Sequence, residues 1–324
     1  MFKTRITELF HTKYPIIAGG MHLLSRAELV AAVSNAGGLG ILASTTFETK
    51  EKLRQEIRKT QDLTDKPFGV NLNLFPMMRP RSVDEDIDIF IDEGVEIVES
   101  SGASPEPYVP KLKEAGVKII HKVPAVRFAR KAESVGVDAI AIVGFECAGH
   151  PGMDDVPSLI LVPLTADAVR IPVIAGGGFC DARSFVAALA LGADGIVMGT
   201  RFVATYECIA HRKVKEWLVK AKETETMVID RSLGLPMRVI KNKPAEKAYE
   251  MDKQGASLEE LLPVISGELG RKAWIEGDID AGVVSLGMTV GRIHEIASVK
   301  DVIQGIMEEA KSICKSLNPC RVNR

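Results

Sequence analysis

The chain has 324 residues, 46% of them hydrophobic, which is enough to bury a large core and argues against an extended disordered protein. Its formal net charge is -2 with basic and acidic residues mixed along the chain, so no basic face suggests nucleic acid or an anionic membrane, and small molecules are the expected partners. No apolar run approaches the roughly 20 residues needed to span a bilayer, and the charged stretch 1–14 lacks the apolar core of a signal peptide, so a cytoplasmic protein is expected.

Short apolar runs rich in Val and Ile alternate with amphipathic stretches. Eight of these runs read as strands: Pro15–Gly20, Leu39–Ser44, Phe68–Leu74, Glu96–Ser100, Lys118–Val123, Ala139–Gly144, Val173–Gly177 and Gly195–Met198. Helix-length segments such as Arg26–Asn35, Lys50–Lys59, Val83–Asp92, Ala125–Ser134 and Ala182–Leu191 lie between them, which favours a parallel sheet. A weak repeat supports this: Gly37, Gly94, Gly116, Gly136 and Gly192 each stand where a helix ends in the left-handed conformation before the next strand. Eight such units fit a (β/α)8 TIM barrel better than a doubly wound sheet, the runner-up. After Phe202 the pattern changes to long charged helical stretches, Arg212–Glu223 and Ala245–Glu260, without strand signals. The predicted organisation is a barrel over 1–204 and 289–318, with a helical excursion over 205–288 covering its active face.

The five cysteines show no close C-x-x-C pair, and the six histidines no i, i+4 pair beside a carboxylate, so neither a disulfide framework nor a metal site is expected. Chemistry in such a barrel belongs at the C-terminal strand ends, with phosphate gripped by the loops after strands 7 and 8. Those loops read Gly176-Gly177-Gly178 and Gly199-Thr200, where bare backbone can approach an anion; the plainer reading is that the glycines serve tight turns. Strand 1 ends in Gly19-Gly20-Met21, backbone against which a flat ring could lie. Asn71 could hydrogen-bond that ring, and Lys122 puts a cation nearby; a turn Asn and a solvated Lys are the commoner explanations. His150 stands in a polar, glycine-flanked loop after strand 6, which favours a functional role over a structural one; Cys147 in the same loop is a weaker candidate nucleophile.

The segments "PIIAGGM" (15–21), "GVNLNLFP" (69–76), "IIHKV" (119–123), "GFECAGHPG" (144–152), "AGGGF" (175–179) and "MGTRF" (198–202) resemble the nitronate monooxygenase family, over nearly the whole chain. The similarity is closest to a branch that includes NAD(P)H:quinone reductases and more distant to flavin-dependent enoyl-acyl-carrier-protein reductases. The resemblance implies FMN as cofactor. Gly20, Met21, Asn71 and Lys122 would contact the flavin ring or ribityl chain, and Gly177, Gly178, Gly199 and Thr200 its phosphate. His150 would face the substrate, with Ser285 nearby, and the loop Leu74–Val83 would meet a nicotinamide nucleotide.

Two outcomes fit the implied redox chemistry, in which Lys122 stabilises the reduced ring. One is oxidation of alkyl nitronates with dioxygen, His150 holding the nitro oxygens or accepting a proton. The other is reduction of a quinone by NADH or NADPH. Assembly into a homodimer stays open. From another class, a flavin-free isomerase or lyase acting on a phosphorylated metabolite would need an acid and base pair, for which His150 is the one strong candidate. A flavin-storage protein without turnover is a further alternative.

Overall fold

The computed structural model describes residues 2–75 and 81–317. Eight parallel strands form a closed barrel in sequence order: β1 (Ile16–Ala18), β2 (Leu39–Ala43), β3 (Phe68–Asn73), β4 (Ile97–Ser101), β5 (Lys118–Val123), β6 (Ala139–Val143), β7 (Val173–Gly176) and β8 (Gly195–Met198). Strand β8 pairs back onto β1, with Val197 opposite Ile17, so the sheet has no edge and the doubly wound alternative is excluded. One helix, α1 (Arg5–Phe10), precedes the barrel. The helices α2 (Ala27–Asn35), α3 (Lys50–Leu63), α4 (Val83–Asp92), α5 (Val109–Glu114), α6 (Val126–Ser134), α7 (Ser158–Ala168) and α8 (Ala182–Ala190) then follow β1 to β7 in turn.

Local sequence explains these boundaries. Helix α4 begins where Ser82 and Glu85 form a capping box, and Asp84, Glu85 and Asp86 place negative charge in its first turn; Ile87 and Phe90 are buried. The repeating glycines Gly37, Gly94, Gly116, Gly136 and Gly192 all have positive φ, between 69 and 96°, as left-handed helix ends require.

Inside the barrel, Ile17, Leu39, Ile41, Ile97, Ile120, Ala141, Ile174 and Val197 form an apolar interior, joined by Ile6 and Phe10 of α1. Helix α1 closes the N-terminal mouth: Arg5 pairs with Asp194, just before β8, and Lys118 at the start of β5 donates to the Leu9 carbonyl. Phe10 is 1% exposed, and its truncation to Ala would cost about 3–5 kcal/mol. The C-terminal strand ends lie at the opposite mouth.

After β8 the chain runs through α9 (Thr200–Val203), α10 (Arg212–Leu218), an antiparallel pair β9 (Thr226–Ile229) and β10 (Met237–Ile240), α11 (Lys243–Lys253), α12 (Leu258–Ile265) and α13 (Gly267–Arg271). It returns as α14 (Val299–Ser316), which packs between α8 and α2 as the outer helix that follows β8. The excursion therefore differs from the all-helical reading. Its strands lack the helix-then-glycine lead-in that marks the barrel strands, and they join Ala245, Ala248 and Leu261 in a small core of their own. The long stretch expected at 245–260 is broken at Gly255, whose φ is +76°. Among the described residues no helix is long and apolar enough to cross a membrane.

Candidate active site

Three interior-facing side chains stand one layer above the apolar interior, at the C-terminal ends of neighbouring strands: Asn71 on β3, Glu99 on β4 and Lys122 on β5. Asn71 lies directly opposite Glu99 in the sheet register. Its amide donates to Glu99 Oε2 at 2.8 Å and to the Glu99 carbonyl at 3.1 Å. Lys122 Nζ donates to the same Oε2 at 3.4 Å, and so does the Gly20 amide, also at 3.4 Å. A carboxylate 1% exposed must be satisfied by donors or cost several kcal/mol, and Glu99 gathers three, from β3, β5 and the loop after β1. A Cβ at Gly20 would lie 2.7 Å from Asn71 Cβ, so this approach requires glycine. Ser25 Oγ ties the same turn down by accepting from the Met21 amide and donating to the Gly19 carbonyl.

The loop after β6 carries His150. The ring packs against Phe75, with centroids 4.6 Å apart. Although the residue is solvent-exposed, protein atoms crowd the ring, and this desolvation, with the nearby charge of Lys122, holds its pKa below the ordinary 6.5; it is neutral at pH 7. Gly149 exchanges two backbone hydrogen bonds with Arg238 of β10. The Arg238 side chain, 3% exposed, donates twice to the Phe145 carbonyl at 3.0 and 3.1 Å and lies over the Phe145 ring at 4.4 Å. The hairpin of the excursion thus grips the His150 loop from outside. In the same loop Glu146 accepts from the Ser158 amide and hydroxyl at the start of α7, a favourable place for negative charge. Burial pushes the Cys147 thiol up to about 12, so it stays protonated and is a poor nucleophile.

The loops after β7 and β8 lie side by side, because Gly176 pairs with Val197. Gly177 and Gly178 have φ of 82 and 80°. The amides of Gly178 and Thr200 donate to no protein group among the described residues. Beside them Arg201 is 6% exposed, and its Nη2 is buried without a partner among the described residues, while Nη1 donates to the Glu295 carbonyl. The segment 285–292 crosses all three loops. Gly287 donates to Thr200 Oγ1 at 3.0 Å, Met288 to the Glu146 carbonyl at 3.0 Å, and Arg292 pairs with Asp181, the cap of α8. Ser285 is half-buried at the head of this segment. Two neighbouring loops whose amides are free among the described residues make a place for an anion.

The chain matches a known family model, nitronate monooxygenase, over residues 3–81 and 77–309. The chain belongs to the nitronate monooxygenase family. Among curated relatives, a (3aS,4S,5R,7aS)-5-hydroxy-7a-methyl-1-oxo-octahydro-1H-indene-4-carboxyl-CoA dehydrogenase of Rhodococcus jostii (strain RHA1) is 35% identical, over 95% of this chain and 96% of that protein. A probable nitronate monooxygenase of Staphylococcus saprophyticus is 36% identical over 77% of this chain and 81% of its own. Among solved structures, FabK from Thermotoga maritima superposes with a TM-score of 0.90 at 39% identity, covering 98% of this chain and 99% of its own. The protein is accordingly an oxidoreductase of this family acting on small molecules.

In this nitronate monooxygenase family member the expected residues Gly19, Gly20, Met21, Asn71, Lys122, His150, Gly176–Gly178, Gly199, Thr200 and Ser285 all stand at the C-terminal mouth or on the segment that crosses it. Of the loop expected to meet a nicotinamide nucleotide, Pro76, Met77, Met78, Arg79 and Pro80 lie outside the described residues; Arg81 beyond them pairs with Asp86 at 2.6 Å. The sequence reading did not single out Glu99, Arg238 or Arg201. A cleft of about 350 Å³ between Trp217, Asn242 and Asp278 lies away from the strand ends and includes none of the expected residues. Among the described residues no cluster of three or more His, Cys, Asp or Glu is placed to hold a metal ion.

Proposed function

We propose that the protein is an FMN-dependent oxidoreductase that oxidises alkyl nitronates with dioxygen, the excursion 205–288 serving as the unit that covers its substrate. The residues present fit FMN: the free amides of Gly178 and Thr200 and the orphaned Nη2 of Arg201 suit a phosphate, and glycine at 20 leaves bare backbone for a flat ring. In this reading Gly177, Gly178, Gly199 and Thr200 hold the phosphate, supported by Gly176. Gly19, Gly20, Met21, Asn71 and Lys122 face the ring and ribityl chain. When bound, FMN supplies an acceptor for two electrons.

The single observation that carries this reading is His150, neutral, stacked on Phe75 and set in a loop held by Arg238. A neutral imidazole at the mouth can accept the α-proton of a nitroalkane or donate a hydrogen bond to a nitro oxygen. Ser285 and Lys122 offer further hydrogen bonds to an anionic oxygen.

A second reading is favoured by a specific observation: similarity to the Rhodococcus CoA dehydrogenase runs nearly end to end, while the match to the staphylococcal protein covers 77% of the chain. Here the oxidised substrate is a hydroxyacyl-CoA, and His150 accepts the proton of its hydroxyl group. The test begins with the absorbance of the purified protein and release of FMN on denaturation. Anaerobic mixing with ethyl nitronate, a 3-hydroxyacyl-CoA, NADH and NADPH then ranks the donors. Bleaching by NADH or NADPH alone, followed by reoxidation with a quinone, supports the quinone-reductase alternative, and reoxidation with an enoyl thioester supports the enoyl-reductase one. A colourless protein that binds no FMN sinks the reading and returns the flavin-free isomerase or lyase.

A further inference from the structure

We infer that Glu99 is a positioning residue that holds Lys122 at the site and cancels its charge. The argument rests on the flavin reading for its consequence but on geometry for its cause. Glu99 faces the barrel interior one layer above Ile97, where a carboxylate has no access to water, and Lys122 is the cation within reach, at 3.4 Å. The lysine side chain is 25% exposed and the glutamate 1%, so the pair is a dipole pointing its positive end at the mouth, not a free ammonium. The same Oε2 also accepts from Gly20 and Asn71, which fixes three strand-end segments relative to one atom. A lone ammonium here would hold any anion tightly and favour the reduced, more negative flavin; the neutral pair orients an anionic group while moderating both effects.

Removing one partner leaves the other charge uncompensated, whereas removing both does not. That asymmetry gives the test, using Glu99→Gln, Lys122→Met and the double variant in the full chain. In the holoprotein, the flavin midpoint potential is expected to rise in E99Q, fall in K122M and return towards the wild-type value in the double variant. In the apoprotein, the urea midpoint is expected to drop in K122M, which strands a buried carboxylate, and to recover when E99Q is added. A double variant whose potential equals that of K122M, or a K122M midpoint that E99Q does not restore, overturns the proposal. A merely structural Glu99 would leave the potential unmoved. If the wild-type chain binds no FMN, the flavin reading fails separately, and the urea cycle alone decides whether the two residues act as a pair.

Discussion

Arg238 and Gly149 exchange two backbone hydrogen bonds, 2.6 and 3.1 Å long, joining the small hairpin of the excursion to the residue that precedes His150. The hairpin is therefore part of what aims the imidazole. Arg238→Met leaves the Phe145 carbonyl without its two donors, a loss of about 1–3 kcal/mol. The expected outcome is a lower melting temperature and a turnover reduced by about tenfold or more, since small misplacements at a reacting centre are costly, with FMN content unchanged. Turnover equal to wild type at reduced stability would confine Arg238 to packing.

His150→Asn separates two demands on the site. Removing a general base typically costs about 10²–10⁴ in rate, so oxidation of a neutral nitroalkane should fall by that factor while the pre-ionised nitronate, which has no proton to lose, is far less affected. Burial lowers the pKa of His150 from the ordinary 6.5, so the wild-type rate with the neutral substrate should rise with pH through a midpoint below that value. Stopped-flow traces of both substrates across pH check this, and a limb that survives in the Asn variant belongs to another group.

His121 makes an acid-stability prediction. It faces outward from β5, 5% exposed, with Nδ1 2.8 Å from Ser100 Oγ, and burial lowers its pKa to about 4 from the ordinary 6.5. Between those values the unfolded chain binds a proton at this residue and the folded chain does not, so stability is full above pH 6.5 and declines as pH falls towards 4. The loss is on the order of 3 kcal/mol. Urea titrations at several pH values should show a shallower acid slope in His121→Asn; an identical slope would assign the decline to other groups.

Gly178→Ala tests the anion loop. With φ at 80°, any side chain there costs roughly 1–2 kcal/mol of backbone strain, and relief of that strain turns the amide away from its present direction. The variant should purify folded, by circular dichroism, but with little FMN. Full flavin occupancy would place the phosphate elsewhere.

Much of the barrel was legible because its units repeat one local pattern. The run Lys118–Val123 and the segment Val83–Asp92 have the same bounds in sequence reading and structure, and the five helix-end glycines have the backbone conformation their spacing implies. What stayed hidden depends on contacts between distant residues. Glu99 in "VEIVESS" reads as an ordinary polar residue of a strand, and its burial makes sense only with donors 79, 28 and 23 residues away in sequence. Lys122 was visible as a cation, yet nothing local shows that its charge is matched. Arg238 in "MRVI" reads as a solvent-facing arginine because its partners, Phe145 and Gly149, come from another part of the chain.

Helix α14 ends at Ser316, yet it fills the gap in the outer wall between α8 and α2. During synthesis all eight strands emerge well before the helix that covers the seam between the first and the last of them. At ribosomal speeds the interval between β8 and the end of α14 is on the order of ten seconds. Throughout it the apolar flanks of α2 and α8 stand uncovered, so a nascent or truncated chain lacking α14 presents a sticky groove to chaperones and to its own neighbours on a polysome.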